Sequence, residues 1–195
     1  MKKNIILLGA GGHMTSLIET IQNDKRFNIV GFLDNDAKKI GKTIFGIKVL
    51  GNDKELKKIR KKVDYAFLTV GYIKNIDERL ELIEKLKLNS YKIPNFVSFN
   101  ADISKSLKLG KGNTIMQQCL INKNVKMGNF NILNNKSLIE HDVTIGSNVH
   151  VATGAIINGN VKIGNNVFIG SGSIIVNNVK IKDYSFIKAG SLVKK

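Results

Sequence analysis

One cysteine, one proline, no tryptophan and 7% aromatic residues leave this 195-residue chain with few of the usual anchors. The lone thiol, Cys119, excludes an internal disulfide and any cysteine-based metal cluster. No apolar run is longer than Ile5–Leu8, far short of the roughly 20 residues a membrane-spanning helix needs. Acid is scarce as well: 15 Asp and Glu stand against 31 Lys and Arg, a formal net charge of +16. That excess is spread evenly, +8 over residues 1–96 and +8 over residues 97–195. An even spread in a Lys-, Asn- and Ile-rich composition reads as solubility rather than a nucleic-acid surface, and it also suits small polyanions such as nucleotides. Disorder is excluded by the 43% hydrophobic content. The start, Met1-Lys2-Lys3-Asn4-Ile5, opens like a signal peptide but turns at once into Gly-Ala-Gly-Gly-His. It reads as a mature cytoplasmic terminus.

What is abundant is a period of six. Taking every sixth residue from Val97 through Ile103, Leu109, Ile115 and onward to Ile181, Ile187 and Val193 meets only aliphatic side chains. Two residues before most of them stands something small or β-branched, such as Cys119, Val125, Ser137, Val143, Val149 and Ala155. Neither the helical period of 3.6 nor the strand period of 2 produces this pattern. Short strands joined by tight turns do, with one large side chain per strand pointing into a narrow prism. Three strands close an 18-residue coil, so residues 97–195 make about five and a half coils of a parallel β-helix. Asn and Gly at the corners, as at Asn148, Gly159-Asn160, Asn165-Asn166 and Asn177-Asn178, supply backbone conformations that other residues resist.

The first half, residues 1–96, has the grammar of a small α/β domain. Strands are expected over Ile5–Ala10, Asn28–Leu33 and Tyr65–Val70, with helices over Thr15–Asn23, Asp53–Lys62 and about Ile76–Leu88. Open parallel sheets bind ligands at the carboxyl ends of their strands. The turn Gly9-Ala10-Gly11-Gly12-His13-Met14 lies at such an end, and Asp34 ends the next strand 25 residues after Gly9. A carboxylate there can hydrogen-bond a nucleotide. A nicotinamide fingerprint would want a third glycine where Met14 stands, and three or four strands make only half a dinucleotide fold.

Three histidines are present: His13, His141 and His150. His141 and His150 are half a coil apart and His13 lies in the other domain, so no three-ligand metal site is expected. His141 is flanked by Glu140 and Asp142, carboxylates that can orient an imidazole and raise its basicity, as a general base requires. The whole series resembles the bacterial sugar acyltransferases of the sialic-acid O-acetyltransferase type. It runs through Gly-x-Gly-Gly-His, Phe32-Leu33-Asp34-Asn35, Gly71 and Ile139-Glu140-His141-Asp142-x-x-Ile145-Gly146-x-x-x-His150-x-x-x-Gly154-Ala155. That family includes N-acetyltransferases acting on nucleotide-linked 4-amino sugars in glycan biosynthesis.

The resemblance implies a left-handed β-helix that binds acetyl-CoA, a nucleotide-sugar-binding domain in front of it, and a homotrimer. It implies His141 as the catalytic base, assisted by Asp142, with Asn134 beside the acetyl group. It places His150 and Gly159 at the thioester, and Ser171 and Ala189 along the coenzyme A groove. It assigns Gly11, Gly12, His13, Asp34, Asn35 and Gly71 to the sugar nucleotide, with Asn75 and Arg79 as further phosphate contacts. Two other readings stay open at this level: O-acetylation of a sialic-acid-like sugar, and a β-solenoid that binds without catalysing.

Overall fold

The computed structural model describes residues 1–73 and 75–194, which form two compact units, Met1–Pro94 and Asn95–Lys195. The first is a five-stranded sheet flanked by helices. Its elements are β1 (Lys3–Leu8), α1 (Gly12–Gln22), β2 (Phe27–Leu33), β3 (Thr43–Ile44), β4 (Ile47–Gly51), α2 (Leu56–Ile59), β5 (Tyr65–Leu68) and α3 (Asp77–Leu88). The strand order is β3-β4-β2-β1-β5, parallel except for the β3–β4 pair. Interior strand β1 buries Ile5, Ile6, Leu7 and Leu8 almost completely, as a continuous apolar run in a strand covered on both faces should. Helix α1 adds Met14, Leu17, Ile18 and Ile21 to that core.

Two features depart from the sequence expectation. The β3–β4 hairpin carries no turn signal because its two loop residues, Phe45 and Gly46, both have positive φ (49° and 75°). Asn-Gly usually fills such a turn, and Phe disguises it. The expected helix over Asp53–Lys62 is only a 3-10 turn, Asp53–Glu55, followed by the four-residue α2.

The second unit is a parallel β-helix. Seventeen two-residue strands run from β6 (Phe96–Val97) to β22 (Leu192–Val193) and stack into three sheets. Register partners are 18 residues apart, as in Ile121↔Ile139, Ile139↔Ile157 and Ile157↔Ile175. Both expected rows point inward: Ile139, Val151, Ile157, Ile169 and Ile175 are fully buried, and so are Val143, Val149, Ala155, Val161 and Val167. The row frays at its ends, where Val97 is 41% exposed and Ile187 and Val193 are half-buried. An inward side chain is sealed by a rung on either side, and an end rung lacks one of them.

From the third coil face onward each corner is made by a left-handed residue. Every sixth position from Gly112 to Gly190 has positive φ. Asn or Gly fills nine of these, while Gln118, Phe130, Lys136, Asp142 and Tyr184 occupy the others. Asparagine also braces the stack from within. The side-chain oxygens of Asn95, Asn113 and Asn131 accept from the backbone N–H groups of Asn113, Asn131 and Val149, one coil on. Much of the asparagine content is therefore structural.

Candidate active site

His141 sits where the chain leaves β13 (Leu138–Ile139) and turns toward β14 (Thr144–Ile145). Asp142, the left-handed residue of that corner (φ 61°), brings its carboxylate back beside the ring. Asp142 Oδ2 lies 2.8 Å from His141 Nδ1, and its Oδ1 accepts from Asn124 Nδ2 at 3.1 Å, one coil below. The contact with His141, followed by that with Asn124, holds the Asp142 carboxyl below the usual range, so it stays ionised. A carboxylate on Nδ1 fixes the proton there and leaves Nε2 as the basic nitrogen.

Nε2 points along the next coil. A Cβ placed on Gly159 would fall 2.8 Å from His141 Nε2 and 2.7 Å from Cε1, so glycine at 159 makes room for the imidazole. The Gly159 N–H has no acceptor among the described residues. The edge thus offers a base, its orienting acid and a donor N–H one coil apart, while the imidazole remains 59% exposed.

The other expected coenzyme residues lie elsewhere on the solenoid. Asn134 follows β12 (Ile132–Leu133), and Ser171 and Ala189 follow β18 (Phe168–Ile169) and β21 (Phe186–Ile187). All three are on the edge across the face built from β13, β16 (Ile156–Ile157) and β19 (Ile174–Ile175). His150 lies on a third face, buried, its ring edge-on to Phe168 (centroids 5.1 Å), which stacks on Phe186. One copy of the chain therefore does not bring His141 together with Asn134, His150, Ser171 and Ala189. Cys119 is inward, its thiol against Ser137 Oγ and the Asn134 carbonyl. Burial pushes the thiol pKa up, which leaves it inert.

In the first unit the expected residues do converge, at the carboxyl ends of β1, β2 and β5. Gly11 caps α1, and a Cβ on Gly11 or Gly12 would meet nothing within 4 Å. Open space therefore lies beside both glycines at the start of α1, where a ligand could approach the backbone closely. A Cβ on Gly71 would fall 3.1 Å from the His13 ring. Asp34 braces the turn: its carboxylate accepts from Ala10 N (2.7 Å), Asp36 N (2.9 Å) and Lys39 Nζ (3.0 Å). Burial pushes the Asp34 pKa up, but the two N–H groups and Lys39 together outweigh it, and the net shift is downward. Asn35 is tied to Asp53, exchanging Nδ2 to Oδ2 (3.1 Å) for N to Oδ1 (3.3 Å).

Residues 4–86 match the family described as the PglD N-terminal domain, and residues 160–195 match bacterial transferase hexapeptide (six repeats). The first match falls on the α/β unit and the second on the β-helix. The resemblance read from the sequence is borne out. No curated protein matches the chain.

Among solved structures it is similar to the acetyltransferase domain of PglB from Neisseria gonorrhoeae in complex with acetyl coenzyme A. That likeness has a TM-score of 0.89 at 22% identity, covering 100% of this chain and 92% of that one. WeeI from Acinetobacter baumannii gives 0.76 at 24%, covering 99% and 97%. A mutant of GDP-perosamine N-acetyl transferase from Caulobacter crescentus, in complex with CoA and GDP-perosamine, gives 0.77 at 22%, covering 93% and 91%. At these identities the likeness is one of fold: an α/β domain followed by a left-handed parallel β-helix.

Within the α/β unit, sequence reasoning missed Asp53 and Lys85. Lys85 Nζ reaches Asp53 Oδ2 at 2.6 Å, so a chain of contacts runs from Asn35 through Asp53 to α3. Contacts 18 and 32 residues apart leave no local pattern to read. Arg79 is corrected. It is buried and donates to the Val70 carbonyl, and burial pushes its guanidinium down to about 10. It supports the chain after β5 rather than standing out to meet a phosphate. Asn75 caps the start of α3 through Asp77 N.

Proposed function

We propose that this chain is a cytoplasmic acetyltransferase that moves an acetyl group from acetyl-CoA to the amine of a nucleotide-linked amino sugar, of the 4-amino-4,6-dideoxy type. The observation that carries the proposal is the His141–Asp142–Gly159 edge: a base oriented by an ionised carboxylate beside an unengaged N–H on a hexapeptide-repeat scaffold. The bound ligands of the similar structures, acetyl coenzyme A, CoA and GDP-perosamine, support the substrate class.

His141 Nε2 accepts the proton that the sugar amine sheds as its nitrogen attacks the thioester carbonyl. The N–H of Gly159 receives the oxygen on which negative charge develops. The C–S bond then breaks, and the proton held at Nε2 leaves with the thiolate as CoA thiol. No covalent enzyme intermediate is needed, in keeping with the buried Cys119. Gly11, Gly12, His13 and Gly71, at the start of α1, take the nucleoside end of the acceptor. Asp34 acts there by holding the turn, and Asn35 by its amide edge.

The separation of Asn134, Ser171 and Ala189 from His141 supports a site completed by a second copy. The face between the two edges presents an outward row of Leu120, Leu138, Ile156, Ile174 and Leu192. We read it as the contact face of a homotrimer, a closed cyclic assembly. A sedimentation mass of one chain would refute that reading.

The test of activity is CoA-thiol release with a panel of UDP-, dTDP- and GDP-linked 4-amino sugars, run beside a sialic-acid-like acceptor. Release above the hydrolytic background with an amino-sugar nucleotide is expected. Release with the hydroxyl acceptor alone would reassign the enzyme to O-acetylation, and release with none would remove the proposal.

A further inference from the structure

The remaining face of the solenoid carries cations that the acetyl-transfer steps leave unused. Its outward strand positions are Lys108, Lys126, Thr144, Lys162 and Lys180, all exposed. Toward the edge it shares with His141, this face forms a groove lined by Lys105, Lys108, Asn124, Lys126, Asp142 and Thr144. Lys108 and Lys126 are directly opposite one another in adjacent parallel strands. Like charges so placed are destabilising. Solubility alone would be served as well by alternating signs, yet the one acid lining the groove is Asp142, whose carboxylate is taken up by His141 and Asn124. The three ammonium groups make no ion pair among the described residues.

We propose that this groove is a diphosphate subsite, and that the diphosphate belongs to the sugar-nucleotide acceptor; the choice of ligand rests on the acetyl-transfer reading. Lysines serve a flexible polyanion well, because an ammonium is a point charge that imposes no planar geometry. Distance selects the source. Coils stack roughly 4.8 Å apart, so Lys126 lies one coil and Lys108 two coils from the level of Thr144, on the coil that carries His141. In a sugar nucleotide, one pyranose ring separates the diphosphate from a ring amine. In coenzyme A, the whole pantetheine arm separates the diphosphate from the thioester. A groove one to two coils from the base matches the shorter reach.

The test is calorimetric titration of the full chain with inorganic pyrophosphate at low salt, where electrostatic contacts are least screened. A Lys108→Gln/Lys126→Gln variant is compared with Lys162→Gln/Lys180→Gln, which removes the same charge from the same face outside the groove. The groove variant should lose about tenfold or more in pyrophosphate affinity, and the other less than twofold. Equal losses would mean a diffuse field rather than a site, and no pyrophosphate binding by the unmodified chain would refute the subsite outright. Steady-state kinetics separate the sources: the groove variant should raise KM for the sugar nucleotide and leave KM for acetyl-CoA unchanged. The reverse pattern would overturn the assignment to the acceptor. Groove-dependent pyrophosphate binding in a protein that acetylates no amino sugar would uphold the anion site and remove only the function around it, so the two failures are distinguishable.

Discussion

In the α/β unit, Asp34 reaches back 24 residues to Ala10, Thr69 reaches 60 and 61 residues to the carbonyls of Gly9 and Leu8, and Lys85 reaches 32 residues to Asp53. In the solenoid, Asn131 to Asn113, Asn124 to Asp142 and Ser147 to Asn129 all span 18. The α/β unit closes its ligand end with irregular long-range ties, and two candidate binding residues, Asp34 and Asn35, are among them. The solenoid is held by a repeating interior, which leaves residues on its outer edges free of structural duty. Chemistry and stability should therefore be separable in the second unit and inseparable in the first.

The largest effect expected is at His141. Removing a general base costs about 10²–10⁴-fold in rate, so His141→Ala should lose that much CoA-thiol release. Its ring is exposed and bonds only at the edge, so the melting temperature should stay within a degree or so of the parent, about the scatter of a neutral surface change. A large fall in melting temperature would break the comparison, and near-normal turnover would break the catalytic assignment.

Next in size is the opposite case. Ile169 is fully buried in the solenoid, and Ile→Ala in a packed core costs about 2–5 kcal/mol. Ile169→Ala should lower the solenoid's thermal transition and leave the unfolding of the α/β unit in place, read by calorimetry. Coupled loss of both transitions would show that the two units unfold together.

Legibility followed the same division. Seventeen aliphatic positions at a spacing of six made the solenoid readable, and the residues of its interior rows need only be counted. The candidate catalytic edge was readable because His141 and Asp142 are neighbours in the chain. The space that Gly159 leaves for the imidazole belongs to the 18-residue coil rather than to any local motif. In the α/β unit the strands were legible from their apolar runs, but the β3–β4 hairpin was hidden by Phe45 in a left-handed turn, and the Asp53–Lys85 pair by its separation. Arg79 looked like an exposed cation because sequence alone does not say that helix α3 turns that residue inward.

A third prediction tests the inseparable side. Asp34→Ala removes three hydrogen bonds, one to the Gly turn through Ala10 N and two to Asp36 N and Lys39 Nζ, and losing a part-buried hydrogen bond to a charged group costs about 1–3 kcal/mol. It should lower the α/β transition and raise KM for the sugar nucleotide together, leaving KM for acetyl-CoA unchanged. The pH dependence has a definite sign. The folded-state pKa of Asp34 is lowered, so its stabilisation is complete above the ordinary carboxylate value near 3.9. It disappears as pH falls through the lower folded value. The gap between parent and variant should be full at neutral pH and close only in strong acid. A gap that closes between pH 5 and 7 would point to a different group.

The smallest effect concerns the corners, where the solenoid's regularity carries a local cost. Lys136 has φ 59°, a region that ordinary L-residues enter at about 1–2 kcal/mol each and that Asn tolerates. Five other left-handed positions in the same series already carry Asn. Lys136 is exposed, and the bond it must keep, its N–H to the Gln117 carbonyl, belongs to the backbone. Lys136→Asn should therefore stabilise the solenoid by about 0.5–1 kcal/mol, a rise of a few degrees in its transition. Lys188→Asn, on the same edge but not at a left-handed position, makes the same chemical change and should give no gain. If both substitutions raise the transition equally, the benefit comes from removing charge rather than from relieving the corner. A gain confined to Lys136 would show that even a repeat this regular retains strain at corners where the sequence departs from Asn and Gly.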